Sequence, residues 1–577
     1  MDSAPQLGKR VLVLGEDDRS SLTIIRSLGR KGIAVHAGFC SSDSLTLSSR
    51  YLAKAHRLPA LAEPEDEEPW KCAVQDLMAQ ERFDLVIPNH DVFALAMQND
   101  RERFEALGRV YLLNDRAFDV TINKLRTQEL AQEVGVRTPR SMSVQSQDAV
   151  AAILDSFRLP VVLKPLSSFC MQSPASKRLV QCAGTESALR QSLASMVQDG
   201  PVQIQEYFEG VGAGVELLAQ NGEVLTALQH VRVHERFAAG SSYRKTVPLR
   251  EDLLEASTRL LRALYYTGVA MVEFRLNPTS GDWVLIEING RFWGSLPLAV
   301  AAGVDFPYYL YQMLLGQAPC CPTSYRTGLY GRHLRSDLVW LTRDWHVQRA
   351  QGRICAPSIP GVVAEILNPL LGREKIDTLV ADDPLPAFRD AADMWRRLAT
   401  RIEGFVNSRL ASCPVIRRLR FRRGWRLLRQ AEHIVFACKG NICRSPFAAH
   451  YALKVLKGVQ VSSCGHYPQS DRRSPVEAVT AAQRLGIDLS SHRSRVADEA
   501  LLASADIVIV FDASNRSHLA ELSPGCRGKL RLLGELVPVG PVVIPDPNGS
   551  DVACFEATYR AIAQAIEWIA EQRRTDG

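Results

Sequence analysis

No run of about 18 consecutive apolar residues occurs in the 577-residue sequence, so no membrane-spanning helix is expected. The opening MDSAPQLGKRVLVLGEDD has no basic region followed by a long apolar stretch. It passes straight into a short strand, which predicts no secretory signal and a cytoplasmic chain. The 13 cysteines are odd in number and lack pairs at metal-ligand spacing, which reads as reduced thiols rather than a disulfide framework or a zinc site. Internal repeats and low-complexity tracts are missing. Lysine is absent from Trp395 to Gln430, where eleven Arg stand against a single acid, Glu403. That segment carries +10 of a net +6, leaving −4 elsewhere. The basic excess is therefore one segment, and does not point to a nucleic-acid partner.

What is present is a soluble globular composition, 46% hydrophobic and 23% charged, in a chain long enough for three or more domains. The pattern reads as an α/β multidomain protein. Residues 1–118 alternate strand ("RVLVLG", "IAVHAGF", "FDLVIPNHD") and helix ("SSLTIIRSLGRKG"), predicting a parallel sheet. "VLVLGEDDRSS" has one glycine and is no dinucleotide fingerprint. Residues 119–390 read as α+β, with strands "LPVVLKP", "VQIQEYF", "GVELLA", "MVEFRL" and "WVLIEIN", then a Pro-rich irregular stretch from Gln317. Residues 391–430 read as a basic amphipathic linker broken by Pro414 and Gly424, and residues 431–577 as a small α/β domain.

The string CKGNICRSP lies between a strand, "HIVFA", and a helix, "SPFAAHYALKVLK", predicted to have Ser445 as N-cap and Pro446 as first residue. Five residues separate Cys438 from Arg444. Backbone N–H groups feeding a helix N-terminus form an anion nest. Gly440 and Asn441 tolerate the positive φ that such a nest needs. Arg444 has the planar fork that grips two phosphate oxygens. Cys438 starts the loop, where dipole and arginine favour the thiolate nucleophile. Downstream, "VVIPDPNG" places Asp546 at the predicted end of an apolar strand, a candidate to protonate the leaving oxygen and then activate water.

These residues resemble the low-molecular-weight protein tyrosine phosphatase family, over Ala431 to about Ala570. The resemblance implies a four-stranded parallel sheet flanked by helices. It implies Cys438 as nucleophile, Arg444 as phosphate clamp and Asp546 as general acid, acting without a cofactor on a tyrosine-phosphorylated protein. Asn441 would hold the loop, with Gly440 in it, and Ser445 would donate to the thiolate. Cys443 would form a reversible protective disulfide with Cys438. Asn548 stands where the family often has an aromatic residue, and Ile442 where phosphoarginine-directed members carry Thr. Arsenate reductases share the fold and are the alternative for this domain.

In the middle of the chain, Glu273 and Glu287 fall on two strands, and Asn289 shares a face with Glu287. Two carboxylates and an amide oxygen suit Mg²⁺ on nucleotide phosphates. Arg291, two residues on, would face the same phosphates. Lys124 and Lys164 are candidate phosphate contacts, and Gln205, Glu206 and Tyr207 sit in a candidate adenine strand and hinge. With EINGRFWGSLPLAVAAGVDFP, these resemble the ATP-grasp superfamily, closest to carbamoyl-phosphate-synthase-like carboxylate–amine ligases, from about Lys9 to Arg389. The resemblance implies a pre-ATP-grasp α/β domain followed by an ATP-grasp α+β domain. It adds Glu216 near adenine or ribose, ATP and Mg²⁺ as cofactors, and small carboxylate and amine substrates. The glycine-rich loop usual after the second lysine is replaced by LSSFCMQSPASKR, where Ser167, Ser168 and Ser173 are substitute donors; "AAGSSYRKT" is a second candidate loop. Two rival readings follow: a nucleotide-sensing regulator joined to a live phosphatase, or two binding modules. Trp395, Leu398, Ile402 and Phe405 fall at helical spacing in the Arg-rich segment, which reads either as a peripheral contact with an anionic inner-membrane face or as a packed linker helix.

Overall fold

In the computed structural model the chain divides into two units, Met1–Ala391 and Ala392–Gly577. The structure describes residues 9–575, apart from 16–17, 42–43, 62–65, 167–179, 237–239, 351–356, 366, 412–413, 468 and 539. The predicted substitute donors Ser167, Ser168 and Ser173 lie outside the described residues.

The first unit opens with β1 (Arg10–Leu14), β2 (Ala34–Phe39), β3 (Leu52–Arg57) and β4 (Leu85–Pro88), all parallel in the order β3-β2-β1-β4. The helix Asp18–Arg30 buries Leu22, Ile24, Ile25 and Leu28, and Gly32 at φ 75° ends the turn that follows it. β3 carries LAKAHR, too polar to stand out as a strand in the sequence. A second, antiparallel sheet contains β5 (Ser141–Val144), β6 (Val161–Pro165), β7 (Gln181–Ala183) and β8 (Val202–Glu206), ordered β5-β8-β6-β7. Alternation sends Val161, Leu163, Val202 and Ile204 into a core and Lys164, Gln203 and Gln205 to the other face.

The largest sheet has seven strands: β9 (Val211–Gln220), β10 (Glu223–Glu235), β11 (Ser241–Val247), β12 (Gly268–Leu276), β13 (Trp283–Asn289), β14 (Tyr330–Arg332) and β15 (Glu374–Ile376). Its order is β13-β12-β9-β10-β11-β14-β15. The stretch after Gln317, expected to be irregular, thus contributes the last two strands at one end of the sheet, each three residues long and too short to show a period of two. Buried ion pairs fasten it. Arg244 on β11 meets both oxygens of Asp377 at 2.5 and 2.6 Å, each side chain 1% exposed. His234 is held between Asp337 (2.7 Å) and Glu365 (2.9 Å) and stacks on Trp340 at 3.6 Å. Arg26 of the first helix reaches Asp383 at 2.9 Å, drawing the end of this stretch back to the first sheet.

The second unit holds β16 (His433–Cys438), β17 (Gln460–Gly465), β18 (Ile507–Val510) and β19 (Leu530–Leu532), parallel in the order β17-β16-β18-β19. Helices Arg444–Val455 and Val552–Thr575 cover one face, with Phe447 stacked on Tyr559 at 4.0 Å. The basic segment forms helices Leu385–Ala411 and Pro414–Gln430. Pro414 starts the second helix instead of breaking it. The helix runs on through Gly424, where an added Cβ would lie 2.6 Å from Leu536 Cδ2. Trp395 is exposed, Leu398 is half-buried, and the side chains of Ile402 and Phe405 lie outside the described residues. Among the described residues no helix is long and apolar enough to cross a membrane.

Asp377→Ala would leave the Arg244 guanidinium buried and unpaired, at a cost of about 3–5 kcal/mol. Hydrogen-exchange mass spectrometry should then show residues 241–247 and 374–377 exchanging at least about a hundredfold faster than in the parent.

Candidate functional site

β16 ends at Cys438, and the chain turns through residues 439–443 into the helix Arg444–Val455. Asn441 makes that turn possible. It sits at φ 51° and is fully buried, while Gly440, expected to share the positive φ, does not. The Asn441 side chain donates to Ser445 Oγ and Ser463 Oγ, both at 2.9 Å, and accepts from Arg495 N at 2.8 Å. Its carbonyl faces His492 Nε2 at 2.8 Å, and its own N–H points at Cys438 Sγ from 3.2 Å. Arg472 clamps the Gly440 carbonyl at 2.6 Å.

Ser445 does not cap the helix as expected. Cys443 is the N-cap and Arg444 the first helical residue. The Ser445 hydroxyl is engaged elsewhere, 3.0 Å from Cys438 Sγ and 3.2 Å from the Cys464 carbonyl. Because Asn441 donates to Ser445 Oγ, the single Ser445 proton is left for the sulfur or that carbonyl.

Arg444 is 1% exposed. Its Nη1 donates to Asp512 Oδ2 at 2.6 Å and to the Ile544 carbonyl at 2.9 Å, and its Nη2 lies 2.9 Å from Asp546 Oδ2. Asp512 in turn caps the helix Ala513–Leu522. Asp546 lies on an irregular segment, not at a strand end, since Pro541, Pro545 and Pro547 remove the N–H groups a strand would need. Its side chain is 38% exposed, against 19% for Asp512. Cys443 is buried, 3.6 Å from Asn548 Oδ1, and burial beside Asp546 and Cys438 pushes its thiol far up.

Sequence reasoning missed Asp512, His492, Arg472 and Gly465. A Cβ on Gly465 would lie 2.8 Å from Asn441 N and from Lys439 O, so only glycine lets β17 pass this close beneath the loop. Each gap in sequence is long, and the one local signal was an Asp between a strand and a helix.

In the first unit, Glu273 on β12 lies directly across from Glu287 on β13, with Asn289 across from Met271. Asn289 Nδ2 is 3.4 Å from Glu273 Oε1. Lys164 is buried close by. Burial pushes its ammonium down to about 8, against the pull of Glu287 and with a push from Lys124. Burial alone would raise Glu287, but Lys124, Lys164, Arg232 and Arg291 together outweigh it and hold the carboxyl below the usual range. Glu273 is raised by burial and by Glu287, despite Arg232 at 2.5 Å. Gln205 shares the Lys164 face of its sheet, and Tyr207 lies near Arg275.

Two predicted residues are placed otherwise, and a third is shared with another partner. Glu206 ends β8 on the face opposite Lys164 and is exposed. Glu216 is buried on β9, 2.6 Å from Ser295 Oγ and 3.0 Å from His230. Arg291 stays close enough to Glu287 to help hold its carboxyl down, and forks onto Asp91, the first residue of the helix Asp91–Asn99, at 2.5 and 2.8 Å. Sequence reasoning also missed Arg232, Glu235 and Arg275, which fill the same face; Gly212 and Gly214 on β9 leave room for Arg232 and His230 to lie across it. The donor set suits Mg²⁺: two half-buried carboxylates in register, an amide oxygen beside them and, one row along, Glu216 Oε2 buried without a hydrogen bond.

A parallel sheet thus delivers Cys438 into a five-residue loop closed by the buried Arg444. The sequence model of the low molecular weight phosphotyrosine protein phosphatase family matches residues 433–576. The probable low molecular weight protein-tyrosine-phosphatase EpsP of Ralstonia nicotianae is 30% identical over 141 residues, 24% of this chain and 95% of its own length. The low molecular weight phosphotyrosine protein phosphatase of Sus scrofa is 30% identical over 153 residues, 25% of this chain and 96% of its own. The chain belongs to this family through its C-terminal segment and is an enzyme of that class. A second sequence model, described as ATP-grasp in the biosynthetic pathway with Ter operon, matches residues 199–334. The crystal structure of N5-carboxyaminoimidazole synthetase from Staphylococcus aureus covers 59% of this chain and 86% of its own, at 14% identity and a TM-score of 0.45.

Gly465→Ala would press a methyl group into the loop backbone. A displacement of this kind costs up to about a hundredfold in rate. We expect a fall of about 10- to 100-fold in kcat/KM for p-nitrophenyl phosphate, with the circular dichroism spectrum unchanged.

Proposed function

We propose that the C-terminal domain hydrolyses phosphotyrosine, or a related phosphoester, through a cysteinyl-phosphate. The observation that carries this reading is the convergence of Cys438 Sγ, the Ser445 hydroxyl and the Asn441 N–H with a guanidinium already aimed and buried. The loop N–H groups and Arg444 would bind the phosphoryl oxygens. Cys438 Sγ would attack phosphorus in line, forming the S–P bond as the P–O bond to the leaving group breaks. Asp546, the more exposed partner of Arg444, would give its proton to the leaving oxygen. It would then take a proton from the water that cleaves the S–P bond, returning the thiolate and releasing phosphate. Ser445 would stabilise the thiolate at both ends of the cycle.

The ATP-grasp part would bind Mg-ATP, with Lys164 and Lys124 on the phosphates, Gln205 and Tyr207 nearer the base, and Glu273, Glu287 and Asn289 on Mg²⁺. The bound ion would supply neutralisation of phosphate charge. Joining a small carboxylate to an amine is the activity this arrangement supports. The chain would act in the cytoplasm. Helix Pro414–Gln430, with Arg418, Arg422, Arg423, Arg426 and Arg429 exposed, supports peripheral contact with an anionic membrane.

Cys438→Ser should abolish p-nitrophenyl phosphate hydrolysis. Asp546→Asn should slow aryl phosphates by about 10²–10⁴-fold, most for poor leaving groups. Parent-like rates for Asp546→Asn across a leaving-group series would remove it as the acid. For the first unit, Mg-ATP at a hundred times its Kd should stabilise the parent by about 2.7 kcal/mol in a thermal-shift assay. Lys164→Ala should lose that stabilisation; a mutant shift equal to the parent's would place the nucleotide elsewhere.

A further inference from the structure

The outer margin of the first sheet carries chemistry that neither site uses. On β2, His36 is in register with Leu12 of β1 and Lys54 of β3. His56 stands two positions further along β3, across from Gly38. The two imidazoles therefore project from the same face, the one covered by helix Glu67–Glu81, whose last residue meets them. His36 Nδ1 and His56 Nε2 are 2.9 Å apart, with stacked rings. Ligand atoms of His36, His56 and Glu81 all lie within 4.8 Å of one another, and among the described residues no other group of three His, Cys, Asp or Glu does so.

The surroundings make this an odd place for two imidazoles. His36 is 6% exposed, with Phe83 edge-on at 5.2 Å, in a layer otherwise built from Leu12, Leu14, Leu77 and Met78. Each ring satisfies only one nitrogen of the other. The third member, Glu81, already holds a cation: the Lys54 ammonium pairs with its Oε1, and Arg10 Nη1 lies 3.7 Å from its Oε2. The C-terminal end of a helix adds a partial negative charge at the same spot. Two nitrogen lone pairs and a carboxylate from three separate elements make a donor set of borderline softness.

We propose that His36, His56 and Glu81 form a site for a divalent transition cation, of which Zn²⁺ is the type, clasping β2 and β3 to the end of helix Glu67–Glu81. Tetrahedral donors at Zn–N lengths of about 2.0–2.1 Å stand about 3.4 Å apart, so the two rings need to open by about half an ångström. His36 would bind through Nδ1 and His56 through Nε2. The proton now shared between them moves to the far nitrogen of the donor ring, and the ammonium of Lys54, on an exposed side chain, returns to water. Three protein ligands leave one position for a water molecule.

The test uses the full chain, stripped of metal with a chelator and titrated with Zn²⁺ in a calorimeter. The thiols of any such chain attract zinc, so the readout is the difference between variants. His56→Gln and Glu81→Gln should each bind one equivalent fewer than the parent, and Co²⁺ loaded into the parent should give a visible d–d absorption that both variants lack. Lys54→Met removes the competing ammonium and should tighten that equivalent by about tenfold, or 1.4 kcal/mol. Stoichiometry equal to the parent's in either His56→Gln or Glu81→Gln overturns the site. Weaker binding in Lys54→Met overturns the assignment of Lys54 as the competitor. Glu81 is at the surface, so its variant decides the question even if His56→Gln fails to fold.

Discussion

A guanidinium out of reach of water costs several kcal/mol unless carboxylates or carbonyls meet it, and both units are organised by that constraint. In the first unit Arg244 and Arg26 are buried against Asp377 and Asp383, and those two aspartates bring residues 374–383 back across the sheet and onto the first helix. In the second, Arg444 is buried against Asp512, Asp546 and the Ile544 carbonyl, which ties β18, the segment after β19 and the phosphate loop to one side chain. The same pairing that stabilises the fold orients the guanidinium that the proposed mechanism uses for phosphate.

The two carboxylates on Arg444 are not equivalent. Asp512 also caps a helix through Asn515 N at 2.7 Å, so its position is set by backbone as well as by charge. Asp546 lies on a proline-stiffened segment open to solvent, where Asn548 N is its further partner at 3.4 Å. One carboxylate is a fixture and the other is poised at the mouth of the loop. The face around Glu273 and Glu287 follows a different plan. There like and unlike charges alternate across strands, Glu235, Arg275, Arg232, Glu273 and Glu287, so that each buried carboxylate has a cation beside it.

Much of this was legible in the sequence where chemistry is written locally. Cysteine, glycine, asparagine and arginine within seven residues, between an apolar strand and a helix, define the phosphate loop without any knowledge of the fold. Glu287 and Asn289 were readable because a strand repeats every two residues. What was not legible depends on distant pairings. Asp512 is 68 residues from Arg444, and Gly465 is 24 from Asn441; their roles come from sheet register. The helix start at Arg444 was misplaced by two residues because the Ser445 hydroxyl, a good cap by type, is drawn to sulfur instead. Glu206 was read as a ligand from its neighbours, but strand alternation turns it away from Lys164. β14 and β15 are too short to leave a pattern.

Asp546 rests against Arg444, and that contact sets a threshold for entry. An anion reaching the loop does not fill a free positive site; it must outbid a carboxylate that is already there. Monovalent ions such as chloride would gain little from such an exchange, whereas a dianionic phosphoryl group would offer two oxygens to the fork and its remaining oxygen to the backbone N–H groups of the loop. On the proposed reading, the resting pair would work as a selectivity filter, screening the commonest anions from the Cys438 sulfur.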